Sequence, residues 1–501
     1  MPSVKIEAPY YPIIYVRGYA GTQGAVESTV ATPYMGFNLG STKVRQRWDR
    51  SIDRLIFESP LVRLMKDHGY IDAYAHGQEI PPDVRVPARS VFIHRYYEPV
   101  SEALGTGERP SIEVYARGLD GLVSRVREQV CGDDAGALAK FKVYLVAHSM
   151  GGLICRTFLQ NSTVGSAANR RAVDKVFTYA TPHNGIDLRL VGNVPGWLPN
   201  NARNFDRDVM KKYLKVSSKK LVNTLNGEFP ENRFFSMVGT NAKDYDVPGS
   251  ARAVGDSSDG LVRIENATVR GTPRAFAYRS HSGDYGIVNS EEGYQNLQRF
   301  LFGDVRIDGQ LHVTDISLPA KVEKKRLEGR KIRASYHFES LVNVRGARAW
   351  DLSRRLTGEH SAIFRDYDEL MHDDSGKHRM PRMFSVYLSE KARIGNQRSL
   401  AFSTQLRVLV PDYEVDGFLF LDDHFEGGTI FDDRLIVQLR RGDANQAWKL
   451  RYGWNSSTPG RATRSVDPVA QDGALLFDVP VETRRDPGIE ATLRLTVGDW
   501  S

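Results

Sequence analysis

Residues 141–159 constrain the fold of this chain more than any other stretch. Phe141-Lys142-Val143-Tyr144-Leu145-Val146 is a short apolar run that reads as a buried strand, and Gly152-Leu153-Ile154-Cys155-Arg156-Thr157-Phe158-Leu159 reads as a helix with an apolar face. Between them lies Ala147-His148-Ser149-Met150-Gly151. A strand that turns sharply into a helix needs small residues where the backbone passes close by. It holds the serine at the turn with its hydroxyl exposed, where it can attack a carbonyl. Ala147 stands where a glycine is usual, and is small enough for the turn to accommodate.

A nucleophilic serine needs a base, and the base needs an orienting carboxylate. Gly255-Asp256-Ser257-Ser258-Asp259-Gly260-Leu261-Val262 is an acidic turn leading into apolar residues. Tyr278-Arg279-Ser280-His281-Ser282-Gly283-Asp284 places a histidine in a polar loop after the strand-like Ala275-Phe276-Ala277-Tyr278. Ser149 is therefore assigned as nucleophile and His281 as general base and then acid. Asp259 is assigned to orient the imidazole and to stabilise its charged form. Asp256, on the same loop, is the rival for that last role. His183 lies before any suitable acid and reads as a structural residue near the pocket. His148 is expected to pack beneath the turn without a catalytic role.

The developing oxyanion is the remaining requirement. Pro12-Ile13-Ile14-Tyr15-Val16-Arg17-Gly18-Tyr19 reads as an apolar strand ending in a glycine turn. Backbone N–H groups there can meet the oxygen that becomes negative. The N–H groups of Tyr19 and Met150 are the expected pair.

In this order, these segments resemble a lipase or esterase of the α/β-hydrolase superfamily over roughly residues 10 to 304. The likeness is carried by Val16-Arg17-Gly18-Tyr19, the Ser149 turn, Ala180-Thr181-Pro182-His183-Asn184-Gly185, and Ser258-Asp259-Gly260-Leu261-Val262 with His281. The order Ser, Asp, His is that of the superfamily. The stretch from Asn296 to Gly303 is similar to the last helix of such domains. One departure is visible: the family usually has His-Gly where this chain has Arg17-Gly18. That puts the usual support of the oxyanion loop in doubt and leaves Arg17 as a group that could meet an anionic part of a substrate.

With 501 residues, the chain is too long for one core, and two domains are expected. The resemblance implies an α/β-hydrolase domain over residues 1–304, with a cap or lid at 186–232. An all-β, sandwich-like domain is read at 305–501, where short β-branched or alternating runs are divided by Gly, Pro, Asn and Asp. In the insertion, Phe205, Val209, Met210, Tyr213, Leu214, Val216, Leu221, Val222 and Leu225 form an amphipathic pattern interleaved with Lys211, Lys212, Lys215, Lys219 and Lys220. This fits either a mobile lid meeting a lipid surface or a helix docked permanently with a solvated lysine face. Upstream, Ile52, Leu55, Ile56, Leu61, Val62, Leu64 and Met65 fit a helix stopped by Gly69, and Ser111 to Val130 fits a long helix.

The net charge is +7, nearly all of it before Phe302, but the charges are interspersed and no nucleic-acid module is visible, so nucleic-acid binding is not expected. Cys131 and Cys155 are the only cysteines, which does not support a disulfide framework and excludes a cysteine-built metal site. No apolar run is long enough to cross a bilayer, and no Sec-type leader is readable, so a cytoplasmic location or non-classical export is expected. Asp366-Tyr367-Asp368-Glu369 with Asp373-Asp374, and Asp422-Asp423 with Asp432-Asp433, read either as turn formers or as calcium-binding loops.

The sequence thus predicts a serine hydrolase of lipid-like or otherwise hydrophobic carboxylic esters. It is expected to need no cofactor and no metal, and transient contact with a membrane or lipid surface is left open as one option. The C-terminal domain is expected to bind a surface, a partner protein or the enzyme's own cap. An acyltransferase, thioesterase or phospholipase would use the same triad, and a hydrolase-like binding protein would not turn over at all.

Overall fold

In a computed structural model of the chain, the apolar run before Ser149 is the central strand of a parallel sheet. The structure describes residues 6–20, 23–46, 48–75, 78–187, 203–217, 220–245, 250–346, 350–357, 362–372, 375–393, 399–416, 423–442, 447–483 and 485–500. They fall into two compact units, Met1–Phe302 and Gly303–Ser501.

Seven strands of the first unit form one sheet: β1 (Ile13–Val16), β2 (Ile71–Asp72), β3 (Ser90–Ile93), β4 (Val143–His148), β5 (Val173–Tyr179), β6 (Phe234–Gly239) and β7 (Arg274–Ala277). Their order is β7-β6-β5-β4-β1-β3-β2, and every neighbouring pair is parallel. Helices cover a parallel sheet on both faces, which is why Ile13–Val16 and Tyr144–Ala147 are apolar and buried throughout. The chain leaves β1 toward β3 and β2, then crosses back to lay β4 on the other side of β1. Between β1 and β4 the strand order reverses, and the crevice beyond the carboxyl ends of such a pair is where open α/β sheets take their ligands.

The long helix expected from Ser111 is α2 (Ile112–Cys131), with Ile112, Tyr115, Leu119, Leu122, Val123 and Val126 all buried. It is preceded by α1 (Pro60–His68) and followed by α3 (Met150–Gln160), α4 (Arg207–Tyr213) and α5 (Glu291–Phe302). One expectation fails. The apolar positions from Ile52 to Met65 do not share one helix: Ile52–Phe57 pairs antiparallel with Ser41–Gln46 as a hairpin. Helix α1 begins only at Pro60, where the Ser59 hydroxyl accepts the Val62 N–H at 3.1 Å. Serine followed by proline is a strong helix start, and here it outweighs the helical spacing upstream of it. Gly69, at φ 66°, ends the helix as expected.

The second unit is all β apart from short helices. Its strands are β8 (Val305–Ser317), β9 (Ile332–Val344), β10 (Ser353–Arg355), β11 (Ile363–Asp366), β12 (Arg382–Leu388), β13 (Leu400–Val415), β14 (Asp423–Arg441), β15 (Trp448–Trp454), β16 (Arg464–Val466), β17 (Val469–Gln471), β18 (Ala474–Glu482) and β19 (Gly488–Asp499). One antiparallel sheet runs β12-β8-β19-β18-β17, and the other β10-β9-β13-β14-β15-β16 with β11 also on β9. Inward-facing residues of both sheets, such as Leu311, Phe384 and Leu495 from one and Phe338, Val408 and Val437 from the other, share one apolar core. The fold is therefore α/β followed by a β-sandwich, as the sequence predicts.

The acidic stretches of this unit have structural partners. Asp366 and Glu369 form a capping box on the short helix Tyr367–Met371. Asp432 pairs with Arg407 at 3.0 Å, and the Asp433 carboxylate accepts the Ser456 hydroxyl at 2.5 Å. Asp373, Asp374 and Asp422 lie outside the described residues. Among the described residues, no helix is long and apolar enough to cross a membrane.

Candidate active site

Ser149 is the residue that joins β4 to α3, with φ 51° and ψ −125°. Side chains rarely adopt such a backbone, and the surroundings must hold it there. Its N–H is tied to the Tyr179 carbonyl at 2.8 Å, at the end of β5. A Cβ added to Gly151 would stand 2.1 Å from the Val16 carbonyl oxygen, and one on Gly18 would stand 2.6 Å from the Ser149 Cβ. The ends of β1 and β4 therefore meet backbone to backbone at the point where the strand order reverses, and only glycine permits it. Ala147 is wholly buried in β4.

His281 and Asp259 come from two loops beyond the carboxyl ends of β6 and β7. The His281 Nε2 lies 2.9 Å from the Ser149 Oγ, and its Nδ1 lies 2.9 Å from the Asp259 Oδ2. An ionised carboxylate only accepts, so Asp259 keeps the proton on Nδ1 and leaves Nε2 to accept from the serine hydroxyl. The other carboxylate oxygen accepts the N–H groups of Leu261 at 3.0 Å and Val262 at 2.8 Å. A further bond, His281 N–H to the Asp259 carbonyl at 2.9 Å, locks the two loops together. All three residues are buried. The rival Asp256 is exposed.

Several residues around this chain of hydrogen bonds carry no motif. Tyr245 and the imidazole of His281 pack edge to face, with their ring centroids 5.5 Å apart. It also packs on Gly260, where a Cβ would lie 2.3 Å from its own Cβ. Burial, followed by the charge of Asp259, raises its hydroxyl to about 12. Tyr96 and Tyr97, just after β3, brace the end of β1. The Tyr97 hydroxyl donates to the Gly18 carbonyl at 2.9 Å and accepts the Ala20 N–H at 2.6 Å, and Tyr96 reaches the Arg17 carbonyl at 2.7 Å. Arg109 adds a bond to the Ala20 carbonyl at 2.8 Å. Arg17 itself donates to the Met35 carbonyl at 3.3 Å.

His148 does lie beneath the turn, and it does more than fill space. Its Nε2 is 2.9 Å from the His281 carbonyl oxygen. Burial above all, then the charges of His281 and Arg17, pushes it down to about 3, so it stays neutral and donates that bond. His183 is buried with its Nε2 3.0 Å from the Thr178 hydroxyl, and burial holds it well below the usual histidine range.

The insertion at 186–232 is described except for residues 188–202 and 218–219, so the Val191–Pro199 stretch and Lys219 lie outside the described residues. Phe205, Met210, Tyr213, Leu214, Val216, Val222 and Leu225 are buried, while Leu221, Lys212, Lys215 and Lys220 face water. What holds this segment is Arg156 on α3, which is wholly buried and, among the described residues, pairs with no carboxylate. Its guanidinium donates to the carbonyls of His183 at 2.9 Å, Val222 at 2.5 Å and Thr224 at 2.8 Å, and to the Gln160 side chain at 3.0 Å. Gln160 and Asn161 add bonds to the Leu214 and Tyr213 carbonyls at 3.3 and 3.2 Å.

No protein-family profile matches the chain, and no curated protein matches it. Among solved structures, a cutinase-like protein from Cryptococcus sp. is similar at a TM-score of 0.22 and 13% identity, over 60% of this chain and 98% of that one. A Tle4–Tli4 complex is similar at a TM-score of 0.21 and 14% identity, over 57% of this chain and 66% of that one. Similarities this low carry no argument about chemistry, which rests on the geometry above.

Proposed function

We propose that this protein hydrolyses carboxylic esters, lipid-like or otherwise hydrophobic, through an acyl-enzyme on Ser149. The observation that carries the reading is the pair of 2.9 Å hydrogen bonds linking Ser149, His281 and Asp259 around a serine held at φ 51°. A nucleophile, a base within reach of its proton, and a carboxylate that fixes the tautomer of that base are the parts of a serine hydrolase.

In this mechanism the Ser149 Oγ bonds to the ester carbonyl carbon as its proton passes to the His281 Nε2. The carbonyl oxygen takes the negative charge. The Met150 N–H, at the first position of α3, has no carbonyl within its own helix to bond and is open to that oxygen. The Gly18 carbonyl is turned toward Tyr97, so the Tyr19 N–H, across the same flat peptide, points the opposite way. These two N–H groups form the oxyanion hole. Collapse breaks the bond to the alkoxy group, which leaves as the alcohol with the proton from His281. Water then repeats the sequence on the acyl-enzyme, losing its proton to His281 and releasing the acid. Asp259 holds the imidazole throughout and stabilises it while charged.

Labelling by a fluorophosphonate tests the assignment. Wild type is expected to label, and Ser149→Ala and His281→Ala are not. Folded wild type that fails to label would sink the reading and leave a hydrolase-like binding protein in its place.

A further inference from the structure

The hairpin Ser41–Gln46 and Ile52–Phe57 has two unlike faces. Directly opposed residues share a face, so Ser41, Lys43 and Arg45 lie with Phe57, Leu55 and Asp53, and Thr42, Val44 and Gln46 lie with Ile56, Arg54 and Ile52. The first set turns toward the body of the unit. Ser41 and Phe57 are buried. Lys43 pairs with Asp284 at 3.0 Å and Arg45 with Asp244 at 2.9 Å, and the Arg45 guanidinium lies 4.3 Å over the Tyr285 ring. These partners sit on the loop that carries His281 and beside Tyr245. The hairpin is thereby fastened to the rim of the candidate active site.

The second set faces water. Val44 is 58% exposed, Ile52 56% and Ile56 60%, and Trp48 at the tip is 96% exposed. Arg50 and Arg54 stand exposed among them. Exposed apolar side chains gathered on one small hairpin, interleaved with Thr42, Arg54 and Gln46, mark a contact surface.

We propose that this outer face is an interfacial anchor that seats the protein on an anionic lipid surface, with the candidate site at the edge of the contact. An exposed indole, apolar in body and carrying one N–H, is most at home at the level of lipid headgroups. Val44, Ile52 and Ile56 would enter the boundary with the acyl chains, while Arg50 and Arg54 complement headgroup phosphates and anionic lipid. Arg50 and Arg54 outnumber Asp49, the carboxylate exposed at the same turn, and so favour an anionic surface over a neutral one. This role depends on the ester-hydrolase reading for its purpose only, because the binding itself needs no turnover.

The test uses full-length protein carrying Ser149→Ala, so that lipid is not consumed. It is sedimented with vesicles of phosphatidylcholine alone and with vesicles equimolar in phosphatidylcholine and phosphatidylglycerol. Binding is expected on the anionic vesicles, weakening as salt is raised. The double variant Arg50→Ser/Arg54→Ser is expected to bind roughly thirtyfold less, and Trp48→Ser/Ile56→Ser is expected to lose at least as much. With Ser149 intact, both hairpin variants should hydrolyse a short water-soluble ester at the wild-type rate, which shows them folded. Wild type that binds vesicles but hydrolyses no ester would refute the proposed activity and leave the anchor standing. The anchor is overturned by absent binding, by equal binding to neutral vesicles, or by unchanged binding in either double variant. It is also overturned by a dimer that Trp48→Ser abolishes, which would assign the face to a second copy.

Discussion

His148 offers a perturbation whose sign and size both follow from the structure. In the unfolded chain it titrates near 6.5, and burial beneath the turn lowers it to about 3. Between those values the unfolded chain binds a proton that the folded chain refuses. Acid therefore favours unfolding, and stability is lost as the pH falls below 6.5. Each pH unit in that window is worth about 1.4 kcal/mol. At pH 5 the contribution is therefore about 2 kcal/mol less favourable than at pH 7.5, a sizeable share of the 5–15 kcal/mol that a typical protein has in total.

The comparison is with His148→Gln, whose amide can still donate to the His281 carbonyl but cannot take up a proton. His94, lowered to about 4 by burial, and His183, lowered further, act in the same direction. Both remain in the variant, so they cancel when the two proteins are compared. Pulse proteolysis across a urea series at pH 7.5 and pH 5, with peptides from β4 and α3 quantified by mass spectrometry, reads the folded fraction of the first unit alone. Wild type should lose about 2 kcal/mol more than His148→Gln over that interval. Equal losses in the two proteins would mean that His148 is already charged, or solvated, in the folded state, and would refute its role as a neutral donor.

Two further predictions concern neighbours of the same site. Asp259→Asn should lower kcat on a soluble ester by about four orders of magnitude, because the amide no longer fixes the imidazole tautomer, while Asp256→Asn, at an exposed position, should leave kcat within about twofold of wild type. Arg156→Met strands the carbonyls of His183, Val222 and Thr224 and should cost about 3 kcal/mol; limited proteolysis should then cut within residues 203–230 faster than elsewhere in the first unit, and an unchanged cleavage pattern would count against Arg156 as the anchor of that segment.

The sequence made the fold legible wherever conformation is set locally. The serine turn, the apolar parallel strands, the buried face of Ile112–Cys131 and the alternation beyond Gly303 were all readable because each is decided by residues a few positions apart. Ser149, Asp259 and His281 could be named because their chain order and loop settings follow a known pattern, although the hydrogen bonds between them are a property of the folded sheet. Tyr245, Tyr96, Tyr97 and Arg156 could not be found, since what each touches is distant in the chain: Tyr97 to Gly18, Arg156 to Val222. The doublet Tyr96-Tyr97 just after a strand was the only signal available. The hairpin is not legible because Ile52, Leu55 and Ile56 fit a helix as well as a strand, and only the helix start at Ser59-Pro60 separates them from Leu61 and Leu64.

The two segments that could meet lipid differ in where their apolar side chains point. Moving residues 203–225 away as a lid would uncover Phe205, Met210 and Tyr213 and break the bonds that Arg156, Gln160 and Asn161 make to their backbone. Each such bond is worth about 1 kcal/mol net, and those to the buried guanidinium more, so opening would cost several kcal/mol before any lipid is touched. The hairpin incurs no such cost. The ion pairs that tie it to the rest of the unit at Lys43 and Arg45 lie on the inner face, and its apolar side chains on the outer face already stand in water. A bilayer surface that takes up Trp48 and Ile56 gains their transfer from water without breaking any of those bonds. The face that is already exposed, rather than the lysines of the docked segment, is therefore the one from which adsorption would start.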